Sequence, residues 1–219
     1  MSREMPEQLE QTKRTRIKRV PKRGSYQRST LYQIIDEALV CHMGFVISGE
    51  PHIIPTAIAR MGDHVIIHGS RVSRMIKHLQ SGERACITVT HLDGMVLARS
   101  AMHHSMNYRS VVIYGVGETV EGKQKVEALD HLTEHLVPGR TSDNLRPYKR
   151  KELEATTVLK FLLDEASAKI RDEPPVDDAE DYQQEIWAGV VPLVLTPGVP
   201  QPDPKRVCDQ PLPDYLMTR

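Results

Sequence analysis

The sequence predicts a mainly β (α+β) protein, built as a small closed or half-closed antiparallel barrel with peripheral helices. Three observations support this class. Short apolar runs follow one another across tight turns, which is typical of antiparallel strands rather than of βαβ units. Amphipathic helical patterns stand only before or between groups of strands, and we find no internal repeat.

The first part of the chain is predicted to form one helix and a meander of strands. Ser29 and Thr30 precede a stripe of apolar residues with helical spacing, so we expect a helix over 29–39. The pattern then changes to short apolar runs bounded by turn residues. Strands are expected over 42–47, 52–60 and 64–68, with turns at 48–51 and 61–63.

The second part is predicted to place helices between strands. We expect an amphipathic helix over 123–137, stopped by Pro138 and Gly139, and shorter helices over 70–80 and 151–156. A tight turn is expected at Asp93 and Gly94. Strands are expected over 85–90, 95–102, from 103 to about 120, 157–163 and 186–195. The stretch 197–219 contains six prolines and no periodicity, which indicates an extended tail.

Positive charge is concentrated at the N-terminus, although the formal net charge of the chain is zero. Residues 1–28 carry nine Lys or Arg against three Glu, a net charge of +6. Such an arm suits nucleic acid, a solvated tail or an acidic partner subunit. We do not expect nucleic acid, because no recognised binding module follows the arm.

Cysteine spacing and hydropathy indicate the compartment. Cys41, Cys86 and Cys208 lie far apart, so the sequence supports neither a disulfide framework nor a zinc knuckle. It contains no apolar run of membrane length and no secretory signal. We therefore expect a protein of the reducing cytoplasm that does not bind membranes.

The most informative local pattern is HGSRVSRMIK, residues 68–77. A strand is expected to end at His68 and a helix to begin after Ser70, with Arg71 and Arg74 in its first turn. Cations there oppose the helix dipole, whereas a bound anion would meet free N–H groups, hydroxyls and a guanidinium. The pattern therefore predicts an anion site, and the alternative is a solvated basic surface. The familiar phosphate-binding loops are absent from the sequence.

Two adjacent histidines, His103 and His104, raise the question of a metal site. On a strand, neighbouring side chains point to opposite faces, so this pair cannot chelate one ion. The sequence also lacks H-E-x-x-H, and we predict no metal.

Three segments follow one another in a characteristic order: IIHGSRVSRM, HHSMNYRSVV and EASAKIRDEPPVDDAEDY. From about residue 25 to 196, the chain resembles the pyridoxamine 5′-phosphate oxidase-related flavin-nucleotide-binding family, in the branch with nitroimidazole-resistance-type proteins. The resemblance implies an antiparallel split β-barrel of the FMN-binding type, paired into a homodimer with FMN at the subunit interface. It divides the chain into a basic arm (1–24), flexible or embracing the partner, a split-barrel domain (25–196) and the Pro-rich tail (197–219).

The resemblance also implies which residues contact the flavin. The ring edge would meet Pro55, Thr56, Ala57 and Ile58, and the ribityl chain would meet Ile67, His68, Gly69 and Ser70. The phosphate would be held by Ser73 and Arg74. A strand entry facing the cofactor, in the same or the other subunit, would comprise His104, Ser105, Asn107 and Arg109. Trp187 resembles a late tryptophan that approaches the ring across the dimer.

The implied function is that of an FMN-dependent oxidoreductase, which passes two electrons to or from a small-molecule substrate. His68 or His104 would supply a proton, and the alternative for His68 is a hydrogen bond to the ribityl chain or backbone. Met75 replaces a lysine typical of the oxidase itself, and the oxidase's substrate-phosphate signature is missing after Trp187. Two alternatives are a non-catalytic protein that binds or stores flavin, deazaflavin or haem, and a DNA-binding regulator.

Overall fold

The computed structural model describes residues 6–143, 145–206 and 210–216. Its helices are α1 (Arg28–Asp36), α2 (Arg74–Gln80), α3 (Gly122–Leu136) and α4 (Arg150–Ala155). Its strands are β1 (Gly24–Ser25), β2 (Val40–Ile47), β3 (Glu50–Ala57), β4 (Ala59–Met61), β5 (His64–Ser70), β6 (Arg84–Leu97), β7 (Ser105–Val116), β8 (Glu118–Val120), β9 (Thr156–Leu162), β10 (Ala166–Arg171) and β11 (Gly189–Pro192). Cys208 lies outside the described residues.

The strands form two antiparallel sheets around one core. The larger sheet has the order β1-β10-β7-β6-β2-β3, with β11 also paired to β6, and the smaller has the order β4-β5-β9-β8. Alternate residues of the strands enter the core, where Met43, Ile87 and Phe161 are fully buried together with Ile34 and Ile35 of α1. The mainly β, antiparallel split-barrel class with peripheral helices is confirmed.

Helix α3 covers the outer face of the smaller sheet. Its Ala128 and Leu132 pack against Ile66, Val120 and Val158 in a second apolar cluster. The predicted helices at 123–137 and 151–156 are confirmed to within a residue at each end. The face of the smaller sheet between α3 and α4 therefore becomes the floor of a groove.

One predicted strand and one predicted turn were wrong. The expected strand over 52–60 breaks at Ile58, which is buried, and its halves β3 and β4 belong to different sheets. The turn expected at Asp93 and Gly94 does not exist, because β6 runs through it with only a register shift against β7. The Asp-Gly pair therefore marks a bulge inside a long strand.

Two helix starts were also wrong. Helix α1 begins at Arg28 with Gln27 as its N-cap, so Ser29 and Thr30 lie within its first turn. Helix α2 begins at Arg74, after Ser73, whereas the pattern predicted a start after Ser70. Arg74 is therefore the first residue of α2, and Arg71 lies before the helix.

The basic arm packs against its own chain in the part that the structure describes. Leu9 and Thr15 are buried, and the Leu9 N–H donates to the Tyr26 carbonyl at 2.9 Å. Thr12 donates to Glu165 at 2.7 Å, and Arg14 forms an ion pair with the same carboxylate at 3.0 Å. The division of the chain at residue 24 stays a prediction.

Candidate functional site

The first predicted flavin contacts meet where the two sheets separate. Pro55, Thr56 and Ala57 end β3, which is the edge strand of the larger sheet. The chain then crosses at Ile58 into β4, whose Ala59 pairs with Ile66 of β5. Strands β3 and β5 are also in contact, so this crossing brings the end of β3 next to β5.

A close contact of β5 with α2 shapes the second part of the site. Ile67 is buried, so only its backbone is available to a ligand, whereas Ser70 is exposed. A Cβ atom at Gly69 would lie 2.9 Å from Ile76 Cγ1, closer than packed atoms allow. Glycine at this position lets α2 start directly against the end of β5.

The start of α2 presents hydrogen-bond donors to solvent. The Ser73 N–H donates to the Ser70 carbonyl at 2.9 Å, but the Ser73 side chain does not cap the helix. The first N–H groups of α2 therefore donate no hydrogen bond to this N-cap side chain. Arg74 is exposed, and its Nη2 lies 3.4 Å from Nδ1 of His52, at the limit of a hydrogen bond.

Arg71 does not lie in the first turn of the helix, as was predicted. It precedes α2, and its N–H donates to the Ala155 carbonyl at 2.9 Å. Its guanidinium lies 3.4 Å from the Glu154 carbonyl, on the side of α4. Without Arg71, the predicted anion site is reduced to Ser70, Ser73 and Arg74 at the end of β5 and the start of α2, and the binding of an anion there stays a prediction.

His68 points away from this anion site, into the groove between α3 and α4. A cavity of about 560 Å³ there is lined by His68, by a leucine stripe of α3 and by residues of the segment 145–156. The Nδ1 atom of His68 is buried and has no hydrogen-bond partner among the residues that the structure describes. Burial lowers the pKa of His68, so its imidazole is neutral at pH 7.

Polar side chains stand at the rim of this groove. Arg146 donates to Glu152 through both of its terminal nitrogens, Nη1 and Nη2, and the Tyr148 hydroxyl donates to Asp130 at 2.9 Å. The sequence reasoning missed these residues, because the segment 143–149 has no periodic pattern. The available signal was the leucine stripe of α3, because Leu129, Leu132 and Leu136 line the cavity.

Two residues predicted at the cofactor are engaged in structural contacts. The Nε and Nη2 atoms of Arg109 donate to the Asp93 carboxylate, at 3.1 and 2.9 Å. Its Nη1 atom donates to Glu37 at 2.5 Å. These carboxylates raise the pKa of Arg109. Asn107 is buried and accepts hydrogen bonds from Arg171 and from the backbone of Glu173. None of these contacts joins β7 to Ser70, Ser73 or Arg74 within the described chain.

The two adjacent histidines are separate, but not for the predicted reason. His103 ends a short 3-10 turn (Ala101–His103) and β7 begins only at Ser105, so strand alternation does not apply. The Nδ1 atom of His104 bonds to the Ser100 carbonyl at 2.9 Å. His103 lies with Asp178 and Asp181, with ligand-type atoms within 4.8 Å. The absence of a metal stays a prediction.

The last predicted contacts lie on the surface. Trp187 is 66% exposed, and its ring covers Gly189, where a Cβ atom would lie 2.9 Å from the indole. Ser105 is half-buried at the start of β7. Neither is brought to the β5–α2 site within the described part of one chain, so both contacts stay predictions.

The outer face of the larger sheet is apolar and open. In β2 the side chains of Val40, His42 and Val46 are exposed, whereas the residues between them are buried or partly buried. Ile53 of the paired strand is 71% exposed. A shallow cavity of about 440 Å³ on this face is lined in part by Cys86 and Tyr114, which pair across β6 and β7.

Comparison with known proteins agrees with this fold. The family model for pyridoxamine 5′-phosphate oxidase matches residues 27–170. A flavocytochrome, Anf3 from Azotobacter vinelandii, is 39% identical, with a TM-score of 0.87 over 94% of this chain and 96% of its own. An FAD and haem binding protein from Mycobacterium smegmatis is 36% identical, with a TM-score of 0.85 over 89% and 96% of the two chains.

A protein described as a 5-nitroimidazole antibiotic resistance protein, from Bacteroides thetaiotaomicron, shares the fold at 23% identity. Its TM-score is 0.56, over 67% of this chain and 86% of its own. The search of curated proteins returned no match. Of the helices that the structure describes, none combines the length and the apolarity that a membrane crossing requires. On the family model and the two relatives above 30% identity, the chain belongs to the pyridoxamine 5′-phosphate oxidase-like family, whose fold binds flavin.

Proposed function

We propose that this protein is a flavin-dependent oxidoreductase that passes electrons to or from a small molecule. The observation that carries the proposal is that β3, the edge strand of the larger sheet, contacts β5, which leads directly into Ser70, Ser73 and Arg74. A flavin nucleotide has both features that this arrangement suits, a ring with a polar edge and a phosphate. The two relatives above 30% identity are described as a flavocytochrome and as an FAD and haem binding protein.

In this proposal the protein binds and orients the flavin, which supplies the redox chemistry when bound. Arg74 and the hydroxyls of Ser70 and Ser73 hold the phosphate by charge-assisted hydrogen bonds. Backbone groups of 56–58 address the polar edge of the ring. We proposed FMN from the resemblance, but the relative described as binding FAD makes FAD the second candidate, and mass spectrometry of the released flavin decides between them.

The test is a titration of flavin-free protein with FMN and with FAD. We expect flavin absorption in the purified protein, and Arg74→Ala to weaken flavin binding by about 1.5–3 kcal/mol. Arg150→Ala is the control, because Arg150 is an exposed arginine paired only with Glu154. If Arg74→Ala binds flavin as tightly as Arg150→Ala does, the phosphate assignment is wrong. If the purified protein neither contains nor binds either flavin, the proposed function is wrong.

Haem is a second candidate cofactor, favoured by the position of His68. Its neutral imidazole with an unpartnered, buried Nδ1 faces an apolar groove of about 560 Å³. The neutral imidazole of His68 would ligate the haem iron, and Arg146 at the rim would bind an anionic propionate in exchange for its pair with Glu152. These residues therefore fit a haem. With flavin and haem together, the protein would carry both two-electron and one-electron carriers.

A haem titration tests this second proposal independently of the flavin. We expect a Soret band in the wild type, and loss of that band in His68→Ala with the flavin spectrum retained. His64→Ala is the matched control, because His64 lies on the same strand and face and its pKa is also lowered, mainly by burial. A Soret band that is unchanged in His68→Ala would exclude this ligand.

A proton-donor role for His68 or His104 stays a prediction. His104 is exposed and bonded to the Ser100 carbonyl after the end of β6, while His68 faces the groove. A pH profile of turnover that loses its ionisation near neutral pH in only one of the two alanine variants identifies the donor.

We also propose a homodimer, supported by the open apolar face of the larger sheet. Val40, Val46 and Ile53 expose about half or more of their surface on that face. Groups of exposed apolar side chains on one sheet face mark association surfaces in proteins. A second copy on this face would lie next to the end of β3, where the flavin ring is proposed to bind.

A further inference from the structure

The C-terminal end of the described chain returns to the turn that follows α3. A short 3-10 turn, Asp214–Leu216, lies there. The Tyr215 hydroxyl donates to Asp143 Oδ2 at 2.6 Å and accepts from Arg140 Nη1 at 3.2 Å. Its partners are 72 and 75 residues away in sequence, so this contact fixes two distant parts of the chain to each other.

The Tyr215 ring packs directly against Gly139, which has no side chain to exclude it. The Gly139 φ of +92° is in the left-handed region, which favours glycine. A Cβ atom there would lie 2.7 Å from Tyr215 Cγ and 2.8 Å from Tyr215 Cβ. The Tyr215 ring packs against Gly139, and the Tyr215 hydroxyl bonds to the residues just after it. Both contacts therefore hold the same turn, 139–143.

The turn that Tyr215 contacts is part of one wall of the groove, formed by residues 139–143 and 145–148 and called the wall below. Thr141 and Asp143 line a cavity of about 810 Å³, together with Leu145, Arg146 and Tyr148, which also line the smaller cavity facing His68. Helix α3 anchors this wall through Glu134, which accepts from the Gly139 N–H at 2.6 Å. Asp130 anchors it through Tyr148. Tyr215 adds an anchor from outside the wall and the helix.

We infer that the segment 210–216 is a strap that holds this wall closed over the groove, with Tyr215 as its latch. The residues before the strap, 193–206, are almost all exposed, so burial of this stretch adds little to the hold of the strap on the wall. Release of Tyr215 removes the anchor that it adds to those of Glu134, Asp130 and Glu152, and so loosens 139–143 and 145–148. This inference goes beyond the proposed function, and it holds whether the groove receives haem or another ligand.

Hydrogen–deuterium exchange on cofactor-free protein tests the strap. We expect peptides covering 139–148 to exchange about tenfold faster in Tyr215→Ala, the effect of losing about one hydrogen bond. Tyr215→Phe keeps the ring and loses only the hydroxyl, so it should fall between Tyr215→Ala and the wild type. Tyr182→Ala is the control, because it removes a half-exposed tyrosine that stacks on Arg99.

A second measurement follows access to the groove. Carbethoxylation of His68, read by mass spectrometry, should be faster in Tyr215→Ala and in a variant lacking 210–219. Unchanged exchange of 139–148 in Tyr215→Ala would overturn the strap, because the wall would then hold without it. Equal loss of protection in β6 and β7 would also overturn it, because Tyr215 would then support the whole fold. Neither result bears on whether the protein binds flavin.

Discussion

At the residue scale, the buried carboxylate of Asp177 connects the segment after β10 to the segment after β6. Asp177 accepts two hydrogen bonds from Arg99, through its N–H at 2.9 Å and its guanidinium at 3.1 Å. The Ser100 N–H adds a third, longer bond at 3.4 Å. Burial raises the pKa of Asp177, but these donors outweigh burial and hold the pKa below its usual value.

Asp177 should therefore make stability depend on pH in a defined direction. A carboxylate with a depressed native pKa stabilises the fold above its unfolded pKa of about 3.9, and this stabilisation is lost as the pH falls through the native pKa. We expect Asp177→Asn to lower the melting temperature by a few degrees at pH 7, and the difference from the wild type to shrink below about pH 4. Thermal unfolding from pH 3 to 8 measures this.

The neighbouring Asp178 is the control, since its side chain is 75% exposed. Asp178→Asn should melt close to the wild type at every pH. A gap between Asp177→Asn and the wild type that stays constant from pH 7 to pH 3 would contradict the pKa assignment.

The roles of single polar residues were the hardest to predict from sequence. Arg109 was predicted at the cofactor, yet its partners Glu37 and Asp93 lie 72 and 16 residues away. Nothing in a local pattern identifies a carboxylate that the fold brings near. Arg74 was assigned by its place after a strand and two serines, a local pattern, and it lies where that pattern put it.

At the element scale, amphipathic helices and alternating strands were predictable and interruptions were not. Helix α3 was predicted within one residue because its apolar stripe is regular. Strand β10 was not predicted as a strand, because its run of Ala, Ser and Ala carries little apolar contrast. The false turn at Gly94 arose because Asp-Gly is also suited to a bulge, and only the pairing of β6 with β7 distinguishes them.

The contact between β5 and α2 should be sensitive to one methyl group. Gly69→Ala would place a Cβ 2.9 Å from Ile76, so α2 must move away from the end of β5. We expect a loss of about 1–3 kcal/mol in the free energy of unfolding, by overpacking. Flavin binding should weaken as well, because Ser73 and Arg74 move with α2. Urea denaturation and flavin titration measure the two effects.

Gly198→Ala is the matched control, since nothing lies within 4 Å of a Cβ at that position. In the double variant Gly69→Ala, Ile76→Ala, the two changes should cost less than the sum of their separate effects, because the second removes the clash. Additive losses would show that the contact is not tight.

At the scale of the whole molecule, the proposed homodimer makes a prediction about mass. The wild type should sediment at about twice the chain mass of 24.8 kDa. Ile53→Lys places a charge on the apolar face of β3, and we expect it to yield a monomer with weakened flavin binding. Val199→Lys is the control, because Val199 is 90% exposed in the tail.

Analytical ultracentrifugation distinguishes the outcomes. A monomeric wild type would contradict the dimer without affecting the flavin assignment. A dimeric Ile53→Lys variant would move the interface to another face of the molecule.

Strand β6 also has a consequence in time. It pairs with β2, β7 and β11, whose residues run from Val40 to Pro192, so its neighbours are synthesised far apart. Such non-local pairing slows folding, since long segments must close before their contacts stabilise the chain. The last residues of β6, 94–97, therefore have no strand on one edge until β11 has been synthesised. During synthesis this edge is open to pairing with a second nascent chain, as the edge of β3 also is.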